Sequence, residues 1–417
     1  MQNSIQTQIR EQIDIAFRNA IIVSPAYLDD EQLPREGQFA VLTEIFNTNV
    51  RNNEIREVCS HFAPIFQDGH PIHLSVLGKT GTGKTITLLY LLHEFEQLCA
   101  EKGIPFQQYH LDLCCPAPCF RALNTLACHM GASKFYKRGI SLEDLMLSIE
   151  NHLRKMSGYV TIFVDEADNI RTDPNTFFTF LVKRLPHNVN VKVILLFASN
   201  RLNWSENLDP RIKSCLKMRE LIFEPYDAPS LQKILSIRVE KALRPDSVED
   251  GVIEKIAALS SRNHGDARKA VDLLTRSAYL SEKKGQRITH ETVDAASEEI
   301  ERDKYLAMVR TSPKHLQAAL YSALTGKQKG RALRTGDAYL LYDNFCRKAG
   351  LTPLTQRAFT DLLSELDMYG FIRASTVSLG RYGRTKDIFI SISPTILEQM
   401  KRLILSNFDL SNEVIYE

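Results

Sequence analysis

The chain has no run of about 18 apolar residues, which excludes a helix that spans a membrane. Its first residues, Met1-Gln2-Asn3-Ser4, carry no basic cluster with an apolar core behind it, so no secretory signal is read there. These absences set the expectation of a cytoplasmic protein with no membrane partner. No C-x-x-C pair occurs among the eight cysteines. Cys114, Cys115, Cys119 and Cys128, with His129, do cluster. Two readings stand for them: a zinc or redox site, or buried thiols, reduced as expected in a cytosolic chain. A large net charge is also lacking, with 52 Lys and Arg against 50 Asp and Glu. The balance is uneven, however. From Lys304 onward 16 Lys and Arg face 10 Asp and Glu, an excess of +6 that leaves the remainder at −4. A basic C-terminal segment predicts a polyanionic partner. At 417 residues the chain exceeds one ordinary core, and two or three domains are expected.

Against these absences stands Gly78-Lys79-Thr80-Gly81-Thr82-Gly83-Lys84-Thr85, which fits G-x-x-x-x-G-K-[ST] at every position. His73 to Leu77 before it reads as a buried strand, and Ile86 to Cys99 after it as an apolar-periodic helix. Strand, glycine turn and helix N-terminus together make a phosphate cradle. Backbone N–H groups of Gly81 to Thr85 point at β- and γ-phosphate oxygens, and the helix dipole favours the anion. Lys84 neutralises phosphate charge and the Thr85 hydroxyl holds Mg²⁺. The competing reading is a chance match in a Gly/Thr-rich turn. A second motif supports the first. The apolar strand Tyr159 to Val164 ends in Asp165-Glu166-Ala167-Asp168. Asp165 is assigned to the metal and Glu166 to the attacking water, against the reading of an ordinary acidic turn.

Strands at Phe106–Leu113, Tyr159–Val164, Val191–Ala198 and Leu221–Phe223 alternate with helices, one of them over Asn175–Leu185. That alternation predicts an α/β domain with a parallel sheet covered on both faces. Asn200, at the end of the strand beside the Asp165 strand, can bond the γ-phosphate or the water; a turn asparagine is the alternative. From Ala228 four helices predict a separate bundle. One of them opens with Asp266 as N-cap and Arg268 in its first turn. An arginine there opposes the helix dipole unless it reaches a phosphate across the cleft, the alternative being a solvent-facing side chain. The expected divisions are an extension over 1–45, starting with an amphipathic helix from Ile5 to Ala20, then 46–227, 228–303 and 304–417.

After Pro313, three helices and two strands form the pattern of a winged helix-turn-helix. The second helix of the pair, Thr355 to Asp367, would enter a major groove with Thr355, Gln356, Arg357 and Thr360 near its N-terminal end. The wing tip Ser378-Leu379-Gly380-Arg381-Tyr382-Gly383-Arg384-Thr385-Lys386 carries three cations and no acid. Phosphate contact by Arg381, Arg384 and Lys386, with Tyr382 and Gly383 close to the duplex, is set against a solvated hairpin tip. Asp361, Glu365 and Asp367 count against insertion beyond the first two turns.

Together these residues resemble the archaeal origin-recognition and helicase-loader initiators, the Orc/Cdc-six family of AAA+ ATPases, over roughly 46–395. The carriers are the Gly78–Thr85 loop, Val164–Asp168, Ser199-Asn200, Leu208–Ser214, Phe223-Glu224-Pro225-Tyr226, Gly265–Ala270 and Gly380–Thr385. The resemblance implies a P-loop AAA+ domain, a helical lid and a C-terminal winged helix. It makes Asn200 the sensor-1 residue and Arg268 the sensor-2 arginine, and it puts Tyr226 among the nucleotide contacts. A DNA-contacting insertion is implied near Pro116 to Arg121. ATP or ADP with Mg²⁺, slow hydrolysis as a switch, double-stranded origin DNA, the replicative MCM helicase and other initiator paralogues follow as expected ligands and partners. The expected location is then the cytoplasm, in association with the nucleoid. Three places depart from the family. Asn49-Val50-Arg51-Asn52 stands where the family has Pro-His-Arg-Glu; residues 1–45 have no placed counterpart; and Cys215 follows Ser214 where relatives carry a trans-acting arginine, leaving Arg211 as a weak candidate. Two other functions fit the same motifs: a signalling P-loop ATPase with a winged-helix interaction module, and a nucleotide-regulated transcriptional regulator.

Overall fold

The computed structural model describes residues 21–29, 32–132, 139–262, 264–326, 333–378 and 384–410. The helix expected over Ile5–Ala20 and the wing-tip residues Arg381, Tyr382 and Gly383 lie outside them. The chain divides into two compact units, the boundary falling between Val293 and Asp294. Among the described residues no helix is long and apolar enough to cross a membrane.

The first unit is built on five parallel strands. They are β1 (Leu74–Leu77), β2 (Phe106–Asp112), β4 (Tyr159–Asp165), β6 (Lys192–Ser199) and β7 (Arg219–Ile222), in the order β2-β4-β6-β1-β7. Two short strands, β3 (Ala117–Pro118) and β5 (Ile170–Thr172), pair separately. Every residue of β1 and β4 is buried, as continuous apolar strands covered on both faces should be. Alternate residues serve opposite faces. Val160, Ile162 and Val164 enter the core under the helices Cys119–His129 and Leu142–Leu153. Tyr159 and Phe163 enter the core under Asn52–Phe62 and Lys84–Glu101. The register sets Asp112 opposite Asp165 and Leu77 opposite Ser199, so the strands' C-terminal ends line up.

The helix expected over Asn175–Leu185 is interrupted. Pro174–Thr179 is α-helical, Phe180–Arg184 makes wider π turns, and Leu185–Asn188 resumes the α form. Pro186 has no N–H to give to Val182, which removes one rung of the regular ladder. Within this segment Phe177, Phe178, Phe180, Leu181 and Leu185 are all buried. Arg184 reaches the fully buried Glu150 at 2.6 Å.

The helices Ala228–Ala242, Val252–Arg262 and Ala267–Lys284 form the lid of the same unit. Residues 21–29 are laced onto it. Val23 N donates to Ala242 O at 2.7 Å, Arg238 donates to Tyr27 O at 2.8 Å, and Thr275 Oγ1 donates to Leu28 O at 3.1 Å. The helix Arg35–Asn47 then touches both sides. Its Phe39 and Phe46 pack on Tyr90 of the phosphate-loop helix, and its Glu44 pairs with Lys241 of the lid at 2.7 Å. Residues 21–29 and the helix Arg35–Asn47 thus join the sheet to the lid.

The second unit packs the helices Lys314–Thr325, Thr335–Lys348 and Gln356–Met368 around Tyr342, Phe345, Phe359, Leu363 and Phe371. Its sheet has three antiparallel strands, β8 (Leu333–Arg334), β10 (Arg384–Phe389) and β9 (Arg373–Ser378), in that order. The sequence pattern implied two strands and three helices. The helix Pro394–Asn407 is a further one, and it contributes Ile396, Met400 and Ile404 to the core. Proline at its first turn is pre-set for helix entry.

Candidate nucleotide site and nucleic-acid interface

β1 runs into the glycine loop, and the helix Lys84–Glu101 starts directly after Gly83. Gly81 and Gly83 have φ of 72° and 79°, a region that favours glycine. Both are also crowded. A Cβ on Gly81 would collide with the Asp266 carboxylate, and one on Gly83 would meet the Tyr226 hydroxyl. The lid is bonded to this loop, with Ala267 N donating to Gly81 O at 3.1 Å.

Lys84 is 6% exposed, and its ammonium donates in three directions. Gly78 O and Lys79 O each accept at 2.8 Å, and Asn200 Oδ1 accepts at 3.0 Å. Burial pulls its pKa down to about 8, partly offset by the Asp165 carboxylate. Asp165, at the tip of β4, is 6% exposed. The Thr85 hydroxyl beside it favours its charged form, and its Oδ1 accepts from Glu166 N at 3.0 Å. Burial raises its pKa nonetheless. The Glu166 carboxyl is raised as well, by burial and then by Asp165, Asp112 and Asp168. Its Oε2 accepts from Asn169 Nδ2 at 2.7 Å. Carboxylates gathered against burial and mutual repulsion beside a hydroxyl fit a hard divalent cation. Thr85 and Asp165 would hold it, with phosphate and water oxygens completing the shell.

These groups converge on one cavity of about 840 Å³. Its polar end is lined by Thr80, Gly81, Gly83, Lys84, Thr85, Asp165, Glu166, Asn200 and Arg268. Arg268 is set there by Asp266, whose Oδ1 accepts from Arg268 N at 2.9 Å. The rest of the wall is largely apolar, with Leu28, Leu33, Val41, Ile45, Leu89 and Val271 beside Asp29, Gln38, Arg238 and Asp272. A polar end for phosphates and a largely apolar remainder for a base suit a nucleotide in size and chemistry. The chain thus brings together Gly81, Gly83, Lys84, Thr85, Asp165, Glu166, Asn200, Tyr226 and Arg268, all named from sequence. Lys79 and Thr80 are exposed on the loop. Arg211 is exposed on the helix Pro210–Leu216.

Sequence reasoning did not assign roles to Arg51, His110 or the wall from residues 28–45. Arg51 has φ of 62°, an uncommon conformation for a non-glycine residue. Its guanidinium lies over the Tyr226 ring at 4.0 Å and pairs with Glu54 at 2.6 Å. It also donates to Thr82 O of the loop at 3.1 Å and to Glu224 O. The departure from the family at 49–52 was the signal available. Of the clustered cysteines only Cys119 is buried; Cys128 is half-buried, and Cys114 and Cys115, with sulfurs 4.0 Å apart, are exposed on the turn after β2, against the expectation of buried thiols. Among the described residues no group of three or more His, Cys, Asp and Glu side chains is placed to hold a metal ion.

In the second unit Thr355 caps the helix Gln356–Met368, its Oγ1 accepting from Ala358 N at 3.4 Å. Thr355, Gln356 and Arg357 are exposed at that end. Thr360 is turned back onto its own helix, donating to Gln356 O at 2.9 Å. Asp367 accepts from Ala374 N at 3.1 Å, which ties it to β9. Lys386 donates to Ser364 Oγ at 2.6 Å, and Arg384 opens β10.

Family models match nearly the whole architecture. An AAA domain matches residues 68–203, a Cdc6 AAA+ ATPase-type lid domain 232–298, and the CDC6 C-terminal winged helix domain 307–400. An ORC1-type DNA replication protein of Pyrococcus horikoshii is 33% identical over 354 residues, covering 82% of this chain and 84% of the relative. The ORC1-type DNA replication protein 1 of Methanosarcina mazei is 32% identical over 398 residues, covering 94% and 91%. The Aeropyrum pernix ORC1 protein, solved in complex with DNA, superposes with a TM-score of 0.70 at 29% identity, over 93% of this chain and 98% of that one. With its lid, sheet and winged helix each accounted for, the chain belongs to the ORC1/Cdc6 family of AAA+ replication initiators.

Proposed function

We propose that this chain is an ATP-binding DNA replication initiator that binds origin duplex DNA and helps load the replicative MCM helicase. Slow hydrolysis of ATP serves as the switch, in the cytoplasm and in association with the nucleoid. The observation that carries this reading is the convergence of Lys84, Asn200, Asp165 and Arg268 on one end of a cavity whose remaining wall is largely apolar. Bound Mg²⁺-ATP would supply the phosphoanhydride and the anionic charge that this end is built to meet.

The chain's own groups take the following roles. Gly78, Lys79, Thr80, Gly81, Thr82 and Gly83 wrap the phosphates with backbone amides, and Lys84 turns its ammonium from the loop carbonyls to phosphate oxygens. Thr85 and Asp165 hold the cation. Glu166 orients water, Asn200 senses the terminal phosphate, and Arg268 carries its charge to the lid. Tyr226 supports the loop at Gly83. Slow turnover is consistent with Glu166 being tied to Asn169 and with Cys215 standing where a trans-acting arginine is expected.

In the second unit Thr355, Gln356 and Arg357 present an exposed helix end to a groove. Arg381, Tyr382, Gly383, Arg384 and Lys386 give the wing its phosphate contacts. The similarity to ORC1 of Aeropyrum pernix, solved with DNA, supports duplex binding. Other initiator paralogues are the expected protein partners besides the helicase. Footprinting on the replication origin with and without ATP tests the proposal. Protection confined to an origin-proximal site, and altered in extent by ATP, is expected; protection of promoters alone, or none, would overturn it.

A further inference from the structure

Among the polar groups of the cavity without a role above, His110 lies nearest the proposed cation side. His110 lies on β2, the strand beside β4, and lines the cavity with Thr85, Asp165 and Glu166. Its ring stacks on Phe163, with centroids 4.8 Å apart and planes within 20°. Its Nε2 is buried, has no hydrogen-bond partner, and lies 4.0 Å from Oδ2 of Asp165. That separation is too long for a direct hydrogen bond. A movement of about 1 Å by either side chain closes it to a direct hydrogen bond. The Asp165 carboxylate facing Nε2 favours the proton on that nitrogen.

We propose that His110 is a positioning residue for the divalent cation, its Nε2–H closing on Asp165 when the cation binds and so fixing that carboxylate beside Thr85. The inference rests on the reading of Thr85 and Asp165 as the cation side of the site. It separates two functions of one ring. The face packs on Phe163, which any aromatic side chain can do. The N–H faces Asp165, which only a donor of matching reach can do. Groups of this kind behind a metal ligand commonly change metal affinity by about 10-fold or more.

The test is calorimetric titration of the full chain with ATP, in EDTA and across a series of Mg²⁺ concentrations. His110→Phe keeps the packing face and removes the donor. It is expected to bind ATP in EDTA within about twofold of wild type, and to need roughly 10-fold more Mg²⁺ for the tight-binding state. His110→Gln returns a donor near the Nε2 position and should lie close to wild type. His110→Asn, whose amide stops short of that position, should behave like His110→Phe; it keeps the experiment decisive if the phenylalanine chain misfolds. A wild-type Mg²⁺ dependence in both His110→Phe and His110→Asn would overturn the inference, as would equal losses in EDTA and in Mg²⁺. A wild-type chain whose ATP affinity ignored Mg²⁺ would overturn the assignment of Thr85 and Asp165 along with it.

Discussion

The Lys84 ammonium and the Asn200 side-chain oxygen are 3.0 Å apart, so the glycine-loop cation and the strand-end amide are in direct contact. The bond joins the helix start after β1 to the end of β6, its neighbour in the sheet. On the proposed function, a bound phosphate would compete with Asn200 for that ammonium. Lys84→Ala is therefore expected to weaken ATP binding by roughly 10- to 100-fold, the range for a hydrogen bond to a charged group. Asn200→Ala removes one acceptor of Lys84 and should leave ATP affinity within about fivefold while slowing hydrolysis. Fluorescent-nucleotide titration and single-turnover hydrolysis measure the two effects separately.

A pH dependence follows from the same lysine. Burial holds its pKa at about 8, and a bound phosphate raises it again. Below pH 8 the ammonium is already charged, and binding takes up no proton there. Above pH 8 the free site has lost the proton that the complex needs. ATP affinity should then fall by up to about 10-fold per pH unit until the pKa of the complex is reached. Calorimetry in buffers of differing ionisation heat reads the proton uptake directly: near zero at pH 7, and appreciable at pH 9.

Arg51 joins the segment before the sheet to the phosphate loop. It bonds Thr82 O and Glu224 O and covers Tyr226. Arg51→Ala leaves those carbonyls and Glu54 without their partner and removes the cation over the ring. A loss of about 2–4 kcal/mol in stability is expected. Arg51→Lys should recover little, because one ammonium cannot cover a ring and bond two carbonyls in a plane. Denaturant unfolding of the three chains checks this.

His61 and His73 make the first unit sensitive to acid. Burial is the main cause that lowers both to about 4. Each stays neutral in the fold, while the unfolded chain takes up the proton near pH 6.5. Stability from this source is fully present above pH 6.5 and is lost as the pH falls from 6.5 toward 4. For His61, which is 5% exposed, the whole loss is of the order of 3 kcal/mol. His61→Gln should flatten the fall of melting temperature across that window, and an unchanged slope would count against the burial argument.

Much of this architecture can be read from residue order, because its strands are continuous apolar runs and its glycine loop is a local motif. The Asp165 strand and the Asn200 strand end lie next to each other as their alternation with helices implies. What escaped has a physical reason in each case. The apolar wall of the cavity comes from Leu28, Leu33, Val41 and Ile45, whose spacing alone does not say that they face a lid some 200 residues away. Arg51 acts through backbone carbonyls, which leave no mark on sequence. His110 matters by its register opposite Phe163, a property of strand pairing. The π turns at Phe180–Arg184 interrupt a helix whose apolar pattern reads through them.

Phosphate contacts by the second unit should appear in the salt dependence of DNA binding. Arg357→Ala is expected to weaken duplex binding and to lower the slope of log affinity against log salt by about 1 if that guanidinium meets a phosphate. An unchanged slope with lost sequence preference would assign Arg357 to a base edge instead.

The measurement that bears most directly on the whole account is a paired titration of ATP and origin duplex against wild type, Lys84→Ala and Arg381→Ala. The account requires Lys84→Ala to lose nucleotide while retaining DNA affinity, and Arg381→Ala to lose DNA affinity while retaining nucleotide. If both variants bound both ligands as wild type does, the assignment of nucleotide to the first unit and duplex to the second would be contradicted.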